Sequence, residues 1–146
     1  MKKLLVILVT ALAALTACKN ESATVTPTAT VPDELIGTPW TVSSLLEGTE
    51  DKTKMFVGIQ FSFTSDSKVV ASDSKKSLSS GSWSNGSQTY YGNPVGGNPN
   101  DLSISLGTAT PFNRISKSWT VVNHSSTLMK LDSKDTSDHA HVVLSR

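Results

Sequence analysis

Few side chains in this 146-residue chain have types and spacings that could do chemistry. Cys18 is the only thiol, so no disulfide framework can form and stability must come from an apolar core. His139 and His141 stand two apart beside Asp138. On a strand that spacing puts both imidazoles on one face, where they could offer two nitrogens to zinc, with His124 as a third ligand. The other face of the same strand carries Ala140, Val142 and Leu144, so the histidines read as the solvent side of an amphipathic strand. No metal and no cofactor is expected. Serines are too numerous for any one to stand out as a nucleophile. No Gly-x-Ser-x-Gly elbow occurs, and no base held by a third group can be named beside a serine. The acids lie mostly in predicted turns, so paired carboxylates for glycoside hydrolysis cannot be nominated, and no enzyme is expected. Tyr90 and Tyr91 open a stretch running to Asn100 that is long for a hairpin loop in a compact domain. Its aromatic rings and amides are suited to a sugar or a protein partner. Its glycines lack the lysine and helix of a phosphate-cradling loop.

The elements that would hold these residues begin with a leader. Lys2 and Lys3 precede an apolar run from Leu4 to Leu15, broken only by Thr10. The run is too short for a membrane-spanning helix, which needs about 20 residues. It fits the hydrophobic region of a secretory signal. Leu15-Thr16-Ala17-Cys18 follows, and this arrangement resembles the lipobox of bacterial lipoproteins. The resemblance implies cleavage after residue 17, diacylglycerol on the Cys18 thiol and further acylation of the new amino terminus. Each buried methylene contributes about 0.8 kcal/mol, and two or more chains anchor stably where one does not. Lys19, Asn20 and Glu21 resemble the short charged export tags of surface lipoproteins, so the expected address is the bacterial cell envelope, at the outer membrane. Losing Lys2 and Lys3 leaves eleven basic residues against twelve acidic ones. With no basic stripe and only Arg114 and Arg146 as arginines, nucleic acid is not an expected partner. Residues 18–35 read as a lipidated flexible tether, poor in large apolar groups and stiffened locally by Pro27 and Pro32.

Residues 36–146 read as one domain built of strands. Apolar side chains alternate at period two. Trp40, Val42, Ser44 and Leu46 share one face, as do Val57, Ile59, Phe61 and Phe63. Leu102, Ile104 and Leu106 form a third set, Trp119 and Val121 a fourth, and Ala140, Val142 and Leu144 a last. Turn residues separate the runs: Thr64 to Ser67, Asn85-Gly86, Asn123 to Ser126 and Asp132 to Asp138. Pro111 to Ile115 is the one place where a helical turn is expected. About eight antiparallel strands at short spacing predict an all-β domain, either an up-and-down barrel or a two-sheet β-sandwich. Inward-facing Trp40, Val42, Ile59, Phe61, Phe63 and Trp83, with Leu102, Ile104, Trp119, Val121, Met129 and Leu131, would form the core. If they leave space, they would line a cavity for a small hydrophobic ligand.

Gly37-Thr38-Pro39-Trp40, the phenylalanine-rich run Phe56 to Phe63, Gly81-Ser82-Trp83-Ser84, Trp119 and the closing Arg146 together resemble the lipocalin-like domains of bacterial lipoproteins of unknown function. That resemblance implies a lipocalin-like barrel in which Trp40 plugs one end and Arg146 packs as a cation on its ring. Typical lipocalins have Gly-x-Trp where this chain has Gly-x-x-Trp, and the chain lacks their C-terminal helix. Gly-Thr-x-Trp is also similar to the opening of META-type lipoproteins, whose mid-domain Gly-Cys-Asn has no counterpart here. The expected function is an anchored envelope lipoprotein that binds a small apolar ligand. The alternative is a non-enzymatic accessory subunit with an envelope protein partner.

Overall fold

The computed structural model describes residues 29–86, 89–90, 93–94 and 97–146. A short helix, α1 (Val31–Leu35), precedes eleven strands. These are β1 (Trp40–Glu47), β2 (Glu50–Asp51), β3 (Gln60–Phe63), β4 (Lys68–Ser72), β5 (Ser77–Asn85) and β6 (Thr89–Tyr90). They continue with β7 (Asn93–Pro94), β8 (Asp101–Ser105), β9 (Ser118–His124), β10 (Leu128–Ser133) and β11 (Ala140–Ser145). Eight of them, β1, β3, β4, β5, β8, β9, β10 and β11, pair antiparallel in chain order, and β11 returns to pair with β1. The sheet is therefore a closed up-and-down barrel, and the sandwich alternative is excluded. Closure leaves none of the eight as an edge strand, which suits a chain with little charge to protect edges. β2 is a two-residue extra strand on β1, and β6 and β7 form a separate small hairpin between β5 and β8.

The interior holds all three tryptophans and all four phenylalanines of the chain. Phe63 and Trp83 meet edge to face with centroids 6.0 Å apart, a geometry that the ring quadrupoles favour. The alternation follows the sequence except where bulges interrupt it. Val42 pairs with Leu144 but Ser44 with Val143, so Ser43 is an extra residue in β1. Beyond it the phase inverts. Leu45 becomes fully buried, and Leu46, expected inside, is 38% exposed. Val57 is a second correction, at 79% exposure. It follows the 3₁₀ turn Thr53–Phe56, and β3 begins only at Gln60, so Phe56 is buried instead. A second bulge, at Val122 in β9, turns Asn123 outward opposite Lys130 and puts His124 opposite the inward Met129.

The expected tether, 18–35, also extends too far. Thr30 and Asp33 form a capping box, the Thr30 amide and hydroxyl both donating to Asp33 Oδ2 at 3.0 and 2.6 Å. Pro32 suits the first helical turn, and Val31 and Leu35 are buried, so residues 31–35 pack as part of the domain rather than as tether. A 3₁₀ turn does form at Phe112–Arg114, inside the expected helical stretch, but it is one of three helical pieces rather than the only one.

Candidate functional site: an apolar interior with two caps

Register places the starts of β1 and β8 and the ends of β9 and β11 at one mouth of the barrel. The end of β1 and the start of β11 lie at the other. The first mouth is covered by α1. Trp40 Nε1 donates to the Leu35 carbonyl at 2.9 Å, and Ile36 bridges to Phe63. Arg146 reaches across from the end of β11. Its guanidinium carbon lies 4.4 Å from the Trp40 ring centroid, and its nitrogens donate to the carbonyls of Glu34 (3.0 Å), Thr38 (3.1 Å) and Ser126. Arg146 thus stacks as a cation on the buried Trp40 ring. Glu34 of α1 meets His124 Nδ1 at 2.5 Å with both side chains largely buried.

The second mouth is covered by a strap, residues 106–117, that runs from β8 to β9. Leu106, Phe112 and Ile115 point into the barrel, and Trp119 Nε1 donates to the Ile115 carbonyl at 3.0 Å. The Leu106 amide donates to Ser116 Oγ at 2.8 Å, and that hydroxyl donates to the Phe112 carbonyl at 2.9 Å. Arg114 pairs with Glu47, which the β1 bulge has turned inward, and Lys117 Nζ meets Asp138 Oδ2 at 2.5 Å. Burial raises the Asp138 pKa, but the Lys117 ammonium and the Ala140 amide outweigh it and hold the carboxyl below its ordinary 3.8. The β1 and β9 bulges thus each deliver one ionisable side chain to a mouth, where it pairs with the segment covering that mouth.

Between the caps the packed interior is apolar. The structure brings together Trp40, Val42, Ile59, Phe61, Phe63, Trp83, Leu102, Ile104, Trp119, Val121, Met129 and Leu131, all buried. Residues that alternation did not single out join them, chiefly Leu35, Leu45, Phe56, Phe112 and Ile115. The T-x-x-D capping box would have signalled α1 in the sequence, whereas nothing marks the β1 bulge. Asn85 is the one buried polar side chain among the described residues. Its amide donates to the carbonyls of Pro99 (2.8 Å) and Asp101 (2.7 Å), closing the base of the long β5–β8 connection.

The remaining candidates lie outside this interior. His141 Nδ1 contacts Asp132 at 2.7 Å on the outer face, and no group of three potential metal ligands exists among the described residues. Ser82, Ser84, Ser103, Ser105 and Ser118, with Ser116 and Lys117, line an open outer groove of about 260 Å³. The Tyr90 backbone belongs to the β6–β7 hairpin, while Tyr91 and Cys18 fall outside the described residues. Compared with protein-family profiles, characterised proteins and solved structures, the sequence matches none.

Proposed function

We propose that this protein is a lipid-anchored, non-enzymatic lipoprotein of the bacterial cell envelope, lipocalin-like in design, whose barrel binds a small apolar molecule. The observation that carries this reading is the apolar make-up of the barrel interior. From Trp40 round to Leu144 the fully buried side chains are aliphatic or aromatic apart from Asn85, which donates to backbone carbonyls, while the inward-turned Glu47 and His124 are paired with the caps at the two mouths. A surface of this kind favours an apolar guest and gives a polar one nothing to bond. The leader and Cys18 supply the anchor. The eleven residues between Cys18 and Thr30 reach about 40 Å at most, so the anchor would keep the barrel within that distance of the bilayer.

N-phenyl-1-naphthylamine, an apolar fluorophore, tests the binding. A guest inside the barrel lies close to three tryptophans, so exciting them should light the probe by energy transfer. Saturable transfer supports the reading, and an absence of transfer up to the probe's solubility limit defeats it. A second reading, an accessory subunit, is favoured by three exposed apolar side chains on and after β1: Leu46, Met55 and Val57. Photo-crosslinking from position 57 in cells would capture an envelope protein on that reading and nothing on the first.

A further inference from the structure

We infer that α1 is a hinged plug, and that the barrel interior opens at the α1 mouth rather than at the strap. The purpose of such a plug rests on the ligand-binding reading, but the opening does not. The two caps differ in how the chain holds them. The strap is continuous with β8 at one end and β9 at the other, so it is held to the sheet at both ends. Among the described residues, α1 is joined to the sheet on one side only, through residues 36–39.

The contacts that hold α1 are few and come mostly from side chains. Trp40 and Arg146 donate to its last carbonyls, and His124 pairs with Glu34. Backbone pairing reaches only Ile36 and Gly37, and the Gly37 amide sits at the long distance of 3.5 Å from the Phe63 carbonyl. Gly37 has φ +101, a conformation that side chains resist, and a Cβ there would meet nothing within 4 Å. The chain therefore has a conformational pivot in open space beside the plug. Swinging on it would lift Val31 and Leu35 off the mouth and uncover Trp40.

Hydrogen exchange on the full-length protein in detergent tests this. The Gly37 amide and the Trp40 indole N–H, whose bonds to the Phe63 and Leu35 carbonyls must break when α1 swings, report on the plug, and the β11 amides of Val142 and Leu144 report on the barrel. The two plug N–H groups should exchange ahead of the barrel amides. H124A, which removes the partly buried hydrogen bond to Glu34, should speed them about fivefold and leave β11 unchanged. G37V, which strains the closed pivot without adding a clash, should speed them about tenfold. Association of N-phenyl-1-naphthylamine should quicken in the same two variants. Plug N–H groups that exchange only together with β11 in all three proteins would overturn the hinge. Faster plug exchange with an unchanged rate of probe association would place the opening elsewhere. If no protein binds the probe, the ligand reading falls, and the exchange data alone decide the hinge.

Discussion

Arg146 is the residue on which the closed α1 mouth depends most, and truncating it should show how much. Its guanidinium stacks on Trp40 and donates to three carbonyls that belong to α1, to the chain just after it and to the β9–β10 turn. The stack is worth about 0.5–2 kcal/mol, toward the upper end because Trp40 is fully buried. Each bond from a charged donor contributes about 1.5–3 kcal/mol when dry, and half-exposed bonds contribute less. Allowing for that exposure and for water replacing part of the bonding, R146A should lose about 2–4 kcal/mol. R146K keeps the charge near the ring but cannot fork to separate carbonyls, so it should lose about half as much. Urea unfolding followed by tryptophan emission and by circular dichroism measures both. A loss below about 0.5 kcal/mol for R146A would mean that the fork is bonded no better than it is in water, and the reasoning would fail.

Three other perturbations separate the account from a generic barrel. L45A should cost about 2–5 kcal/mol and L46A well under 1, because the Ser43 bulge puts only the first inside. Thermal or urea midpoints that rank the two the other way would refute the bulge. G81A should prevent folding or cost more than about 3 kcal/mol, since a Cβ there would stand 1.7 Å from the Ser105 carbonyl oxygen. A soluble G81A protein of native stability would contradict the strand contact. Acid should destabilise the fold only at low pH. Asp51, Asp66, Asp73, Asp135 and Asp138 all titrate below 3.8 in the fold because turn amides, hydroxyls or lysines bond their carboxylates. A depressed folded pKa means the unfolded chain binds protons first, so this stability is complete above the ordinary value and drains away as pH falls through 3.8 and below. Urea midpoints should hold steady from pH 7 to about 5 and drop below 4. A midpoint that stays constant down to pH 2.5 would show that these turn bonds do not differ from water.

The strands were readable because a closed barrel buries one face of every strand, and an apolar residue at every second position records that directly. Leu102 and Ile104, Trp119 and Val121, and Val142 and Leu144 face inward as their spacing says. The errors fall where a local insertion resets the phase. Nothing in Trp40 to Glu47 marks Ser43 as the extra residue, since the pattern scores as well without a bulge, and only the β11 register settles it. The same blindness hid the site's ionic partners. Glu47 drew no reading from the sequence and His124 only one as a possible third metal ligand, yet each is turned to a mouth by a bulge upstream of it. α1 was missed for a different reason. Five residues of Val, Pro, Asp, Glu and Leu have no intrinsic strength as a helix, and burial of Val31 and Leu35 on the barrel supplies what propensity does not. The strap had the clearest local signal, a proline followed by a buried phenylalanine, but its role as a cap depends on which mouth the chain crosses.

Native mass spectrometry of the protein released gently from bacterial membranes tests the central claim most directly. The account predicts a chain that begins at Cys18, carries diacylglycerol and an acyl group, and flies with one apolar molecule that collisional heating removes. A chain that retains residues 1–17, a bare Cys18, or an anchored protein that flies empty would contradict it.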